Sequence, residues 1–158
     1  MSAEPRWLSM TEEQAWRGLL RMHDVLVDRA GRSMQDAFGL SAADYTVLAE
    51  LTRAPGGHLR ISELARVLNW EKSRLSHHLT RMGKRGLTAR EECADDRRGA
   101  FVQVTPAGRE AISAAAPHHV EDVRRFFLDH LTPGQIALLG EIAEVVIEKN
   151  GGTDRAPA

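Results

Sequence analysis

The sequence contains little cysteine, few aromatic residues and no long apolar run. Cysteine occurs once, at Cys93, so no disulfide can form within the chain and a reducing, cytoplasmic setting is expected. Aromatic residues make up 5% of the 158 residues, which argues against a stacking platform for single-stranded nucleic acid. The longest apolar run is too short to cross a bilayer, and the N-terminus lacks a cationic, apolar signal sequence. We therefore expect no membrane partner.

Sequence motifs for catalysis and metal binding are also missing. There is no nucleophile motif, no Gly-rich phosphate loop and no pair of carboxylates in an apolar setting, so neither an enzyme nor a cofactor is predicted. His118 and His119, with Glu121 nearby, lack the i, i+4 spacing with which two imidazoles bind one ion. We interpret Cys93 as a passive surface thiol, and redox sensing by an exposed thiolate is the alternative.

Charge is unevenly distributed along a chain whose net charge is −1. Between Arg60 and Arg98, ten Lys or Arg residues stand against six Asp or Glu residues, a surplus of four positive charges. The remaining residues therefore carry a net charge of −5. A local basic zone on an acidic body favours one docking face for nucleic acid, and an ordinary solvated surface is the alternative.

A long helix is predicted from Thr11 to Phe38, because apolar residues recur there at steps of three and four. Thr11 and Gln14 have the spacing of a capping box, and Gly39 can adopt the left-handed conformation that ends a helix. At 1.5 Å per residue this rod is about 42 Å long and overhangs a small globule. We therefore expect part of its apolar stripe to contact a partner chain.

The rest of the chain is predicted to be mainly α-helical with a small β-wing. Ser41 and Asp44 start a second helix, and Ser62 caps a third, which ends at a turn formed by Asn69 and Trp70. The other predicted elements are a short strand at His58 to Arg60, a fourth helix from about Glu71 to Arg85, strands at Thr88 to Glu92 and Ala100 to Val104, a helix that starts at Thr105-Pro106, and a final helix capped by Thr132.

The fourth helix has one apolar face and one face rich in hydrogen-bonding groups. Leu75, Leu79 and Met82 fall on one side at spacings of four and three. In helix-turn-helix proteins the N-terminal half of such a helix enters the major groove. An exposed helix with incidental basic residues is the alternative. The predicted contacts are Ser73, Arg74, His77, His78, Thr80 and Arg81 in the major groove, and Lys72, Ser76 and Lys84 at phosphates.

The tip of the predicted hairpin carries two aspartates, two arginines and a glycine. An arginine on a narrow protrusion can enter a minor groove, where the electrostatic potential is most negative. Arg97 and Arg98 are therefore predicted DNA contacts. Arg90 lies across the hairpin and is predicted to pair with Asp96, which would stiffen the wing. A solvated charged turn is the alternative interpretation of this segment.

The order of these elements resembles the MarR family of bacterial transcriptional regulators, over about Thr11 to Lys149. The most specific segment is DDRRGAFVQVTPAGRE, which is similar to the family's wing pattern, although Val104 stands where Leu is usual. The resemblance implies a homodimer of winged helix-turn-helix subunits joined by their first and last helices. It also implies an effector pocket between the dimerisation helices and the DNA-binding lobe, a minor-groove role for Arg98, and an orienting role for Asp96.

These patterns together predict one domain over residues 11–149. Residues 11–38 and 106–149 are its dimerisation helices, residues 41–105 are its DNA-binding lobe, and residues 1–10 and 150–158 are flexible tails. Trp16, His23 and Tyr45 could line a cleft between the first two helices, with stacking and hydrogen-bonding groups for an effector such as a small aromatic anion. Each of the three is equally explained as ordinary packing.

The predicted function is sequence-specific regulation of transcription, with a homodimer that binds a palindromic promoter site on double-stranded DNA and acts as a ligand-responsive repressor. A winged-helix module that uses its fourth helix for a protein partner is the alternative. The two hypotheses differ in salt dependence, because phosphate neutralisation makes DNA affinity fall steeply with salt. The sequence does not identify the operator, the regulated genes or the effector.

Overall fold

The computed structural model describes residues 5–92 and 100–151, apart from the side chain of Glu92. The prediction of a mainly α-helical chain with a small sheet is confirmed. No helix within the described ranges is long and apolar enough to cross a membrane. The elements are α1 (Met10–Phe38), α2 (Ala42–Arg53), β1 (His58–Arg60), α3 (Ile61–Leu68), α4 (Lys72–Lys84), β2 (Thr88–Glu92), β3 (Ala100–Val104), α5 (Pro106–Phe126) and α6 (Pro133–Lys149), with short 3-10 turns at Pro55–Gly57 and Leu128–His130.

Side-chain caps start four of the helices, namely α1, α2, α5 and α6. The capping boxes predicted at Ser41 for α2 and at Thr132 for α6 are confirmed. For α1 the predicted cap at Thr11 is wrong, because the helix begins one residue earlier and Ser9 forms the capping box with Glu12. The predicted cap of α3 at Ser62 is also wrong. Arg60 occupies the N-cap position of α3 without a side-chain cap, since β1 runs directly into this helix.

The sheet has three antiparallel strands in the order β1-β3-β2. Leu59 of β1 and Arg90 of β2 both lie opposite Val102 at the centre of β3. The predicted bounds of β2 and β3 are confirmed. Val102 and Val104 are buried, so one face of the central strand packs on the core while β2 continues toward the hairpin tip.

The core lies between α2, α3, α4, the sheet and α5. Its fully buried aliphatic side chains come from several of these elements and include Val47, Leu48, Leu51, Leu64, Leu75, Leu79, Met82 and Val102. Gly108 lets α5 approach this core closely, because a β-carbon at that position would lie only 2.1 Å from the carbonyl oxygen of Leu87. The end of α4 and the start of β2 are therefore held directly against α5.

The helices α1 and α6 expose a large apolar surface. No residue of α6 is buried, and only Met34 is buried among the 29 residues of α1. Within the described part of the chain, the apolar side chains of α1 and α6 are therefore largely in contact with solvent. The exposed large side chains of the two helices include Trp16, Leu19, Leu20, Val25, Val27, Ile136, Leu138, Ile142, Val145, Val146 and Ile147.

Candidate nucleic-acid interface

Helix α4 turns its polar residues outward because its apolar residues hold it to the core. Leu75, Leu79 and Met82 are buried at spacings of four and three, as the periodicity predicts. The opposite face is exposed and includes four cations without a negative residue among them. The predicted contact residues that lie exposed on α4 are Lys72, Ser73, Arg74, His77, Thr80, Arg81 and Lys84.

The start of α4 is shaped by the turn that joins it to α3. Asn69 has a φ of 53°, which places it in the left-handed region that Asn tolerates better than most residues. The following residue, Trp70, carries the guanidinium carbon of Arg74 at 4.6 Å from its ring centroid. This cation–π contact restricts the long Arg74 side chain at the N-terminal end of α4. A groove beside it is lined by residues of both helices, among them Ser62, Arg66, Trp70 and Lys72.

Arg90 connects strand β2 to helix α4. Its Nη2 donates to the carbonyl oxygen of Ser76 at 2.7 Å, and lies 3.0 Å from Ser76 Oγ and 3.3 Å from Thr80 Oγ1. The predicted partner of Arg90, Asp96, lies outside the described residues, as do Cys93, Arg97 and Arg98. Ser76 is half-buried and both its carbonyl and hydroxyl oxygens contact Arg90, while its phosphate contact stays a prediction.

The prediction that His78 contacts the major groove is corrected by its position. Its side chain is 7% exposed and points into the lobe, because His78 falls on the same side of the helix as Leu75 and Met82. Its Nε2 lies 3.0 Å from Asp44 Oδ1, although the contact lacks the alignment of a good hydrogen bond. Burial lowers the pKa of His78, and this effect outweighs the opposing influence of the Asp44 carboxylate.

Asp44 and Arg85 hold the end of α4 to the junction of α1 and α2. Arg85 Nη1 donates to Asp44 Oδ2 at 2.7 Å, and Arg85 Nη2 donates to the carbonyl oxygen of Gly39 at 2.6 Å. Asp44 is 4% exposed. Burial raises its pKa, but hydrogen bonds from the Ser41 backbone and from Arg85 outweigh that effect, so the pKa is lowered. Sequence reasoning missed this pair because 41 residues separate its members.

The three candidate effector residues do not form one cleft within the described chain. Trp16 is 55% exposed and lies about 33 Å along α1 from the end that meets α2, at 1.5 Å per residue. His23 is exposed beside Asp24. Tyr45 instead packs against His119 of α5, with ring centroids 4.5 Å apart. The prediction of a shared cleft is therefore wrong for a single subunit.

The histidines of α5 take part in packing between helices. His118 Nε2 lies 2.8 Å from Ser33 Oγ and 3.4 Å from Asp122 Oδ2, which links α5 to α1. Burial lowers the pKa of His119, although the nearby Asp122 acts in the opposite direction. Within residues 5–92 and 100–151, no cluster of three or more His, Cys, Asp or Glu side chains is arranged to hold a metal ion.

The α3–turn–α4 unit, with the β2–β3 ribbon fastened beside it, defines a winged helix-turn-helix lobe. A model of the MarR family matches residues 38–99, which include the elements from α2 to β2. The curated HTH-type transcriptional regulator PecS of Dickeya dadantii (strain 3937) is 30% identical over 108 residues. That match covers 68% of this chain and 65% of PecS, so the chain spans slightly less than two thirds of that relative.

Two solved structures from Streptomyces coelicolor match nearly the whole chain. AbsC, a MarR family transcriptional regulator, is 40% identical with a TM-score of 0.86, over 94% of this chain and 100% of AbsC. Sco3205, a MarR family transcriptional regulator crystallised in complex with DNA, is 38% identical with a TM-score of 0.87, over 94% of this chain and 92% of that chain. This chain belongs to the MarR family of transcriptional regulators, and the family resemblance of its sequence is confirmed.

Proposed function

We propose that the protein binds double-stranded DNA at specific sites as a homodimer and represses transcription from them. The observation that carries the proposal is the outer face of α4, where Lys72, Arg74, Arg81 and Lys84 are exposed together while the opposite face is fixed in the core. The 38% identical relative Sco3205 was crystallised with DNA, which supports nucleic acid as the partner of this face.

Different side chains of the lobe have different roles in the proposed complex. Those on the N-terminal half and outer face of α4 contact base edges and determine which sequence is bound. Lys72 and Lys84, near the two ends of the helix, contact phosphates and supply affinity without selectivity. The wing arginines Arg97 and Arg98 enter the minor groove, with Asp96 as their support. The proposed base-contacting residues are Ser73, Arg74, His77, Thr80 and Arg81.

We infer that a second copy of the chain covers the apolar faces of α1 and α6. Side chains such as Trp16 and Ile142 are more than half exposed in one subunit, and an apolar patch that spans two helices is typical of a permanent interface. A twofold pair places two α4 helices about 34–36 Å apart, one turn of the duplex, so the preferred site is a palindrome.

Regulation in this proposal acts through the distance between the two lobes. A small molecule that binds better to a dimer with another lobe spacing releases the DNA, because both α4 helices have to fit the duplex together. An aromatic anion remains our proposed effector class, although the cleft suggested for it is not formed by one subunit. We place the protein in the cytoplasm, where promoter DNA is accessible.

Selection of bound duplexes from a random pool tests the proposal. We expect an enriched palindrome with half-sites one helical turn apart, and sedimentation of the complex as two chains per duplex. Arg74→Ala should change the enriched sequence, whereas Arg124→Ala, an exposed arginine on α5, should leave it unchanged. Enrichment of no sequence, or binding by a single subunit, would exclude the proposed function.

A further inference from the structure

His78 lies between a buried carboxylate and an arginine of the proposed DNA-contacting face. On one side its Nε2 is 3.0 Å from Asp44 Oδ1 of α2. On the other side its Nδ1 is 3.0 Å from Nη2 of Arg81, one turn further along α4. We propose that His78 is a positioning residue that orients Arg81 toward DNA through an imidazole whose other nitrogen faces the Asp44 carboxylate. This inference rests on the function proposed for that face.

The chemistry of the three groups determines which nitrogen of the ring carries the proton. A guanidinium only donates, so the His78 Nδ1 next to Arg81 has to accept and has to be unprotonated. The hydrogen of a neutral imidazole then lies on Nε2, which faces the acceptor-only carboxylate of Asp44. Asp44 therefore selects the tautomer that leaves Nδ1 free for Arg81, as an acidic neighbour orients a histidine in other sites.

The same imidazole also supports the second arginine of this face. The ring of Trp70 packs edge-on against His78, with centroids 5.5 Å apart and planes at 89°. Arg74 in turn lies over the Trp70 ring at 4.6 Å. His78 therefore contacts Arg81 directly and Arg74 indirectly, through the ring of Trp70. The two arginines lie in different halves of α4. Side chains that are ordered before binding lose less conformational entropy when DNA arrives.

A purely structural role explains this position less well. The other buried residues on this side of α4 are Leu75, Leu79 and Met82, which are all apolar. A buried imidazole with a poorly aligned Nε2 contact instead carries a desolvation cost. Asp44 Oδ2 accepts hydrogen bonds from Ser41 and Arg85, so the carboxylate has a charged partner in Arg85 without His78, which faces Oδ1.

The test compares His78→Leu, which keeps the apolar volume, with His78→Gln, which keeps one donor and one acceptor. Affinity is measured by fluorescence anisotropy on the duplex selected for the wild-type protein. We expect His78→Leu to weaken binding about fivefold while thermal unfolding stays at or above the wild-type temperature, and His78→Gln to restore most of the loss. In the Arg81→Ala background, His78→Leu should have a smaller effect than in the wild type, because only the contact through Trp70 to Arg74 remains to be lost.

The possible failures can be told apart. If the wild-type protein binds no duplex, the proposed function itself is wrong. If Arg81→Ala weakens binding but His78→Leu does not, or if the two losses add independently, the positioning role is wrong. It is equally wrong if Arg81→Ala leaves affinity unchanged. Long-range proton–nitrogen NMR of the histidines gives a check on the unmutated ring, since detection of the Nδ1–H tautomer at neutral pH would overturn the proposal.

Discussion

Salt dependence of DNA affinity provides the sharpest test of the cationic face of α4. Lys72, Arg74, Arg81 and Lys84 are exposed there, so the proposed dimer presents eight cations, and those that reach base edges also lie between phosphates and displace counterions. If each neutralises one phosphate, the logarithm of the association constant should fall with the logarithm of salt concentration with a slope of about −7. Between 50 and 200 mM salt this corresponds to a loss of about four decades in affinity. Lys84→Ala removes two charges per dimer, and we expect the slope to become shallower by about 1.8.

The assay is fluorescence anisotropy of a labelled duplex at several salt concentrations between those limits. Arg124→Ala is the matched control, because Arg124 is an exposed cation on α5 and its loss changes the net charge equally. We expect the slope of this control to equal the wild-type slope. Equal slopes for Lys84→Ala and the wild type would contradict the assignment of α4. A wild-type slope shallower than about −2 would instead favour a protein partner for this helix.

Three further predictions concern stability and assembly. Gly108→Ala should lower the free energy of unfolding by about 1–3 kcal/mol in urea titrations, because the alanine β-carbon would overlap the carbonyl oxygen of Leu87. An unchanged midpoint of urea unfolding would contradict the close approach of α5 to Leu87. The free energy of unfolding should also fall as the pH decreases below 6.5. The pKa values of His78 and His119 are lowered in the folded protein, so the unfolded chain binds protons that the folded chain does not. A free energy of unfolding that stays constant between pH 7.5 and 5.5 would refute this. Ile142→Asp should convert the dimer to monomers in sedimentation, and an unaltered dimer would exclude α6 from the interface.

Local sequence signals predicted most of the secondary structure. The periodicity around Leu75 and the alternation that ends at Val104 depend on neighbouring residues, so the bounds of α4, β2 and β3 were accessible to within a residue or two. Helix caps were less certain where two acceptable residues lie close together. Ser9 and Thr11 both have a glutamate or glutamine three residues later, so the spacing alone fits a capping box at either position.

The outward face of α4 was predictable for the same reason, but the contacts that hold it were not. The pairing of Arg85 with Asp44, and of Arg90 with Ser76, depends on how distant segments pack. His78 was assigned to the DNA-contacting face because it follows exposed His77, although a one-residue step turns a helical side chain by about 100°. One subunit does not form the cleft proposed for Trp16, His23 and Tyr45, because Trp16 lies about 33 Å along α1 from the end that meets α2.

The attachment of Arg90 to the backbone of α4 has a consequence for how operators can diverge. The Arg90 guanidinium ties strand β2 to the Ser76 carbonyl of α4, so in the proposed complex the helix and the wing meet one half of the site as a unit. In the proposed dimer, the spacing between the two lobes is set by the pairing of α1 and α6. A relative with a different operator should therefore differ in its outward side chains or in its subunit pairing, and keep the internal geometry of each lobe.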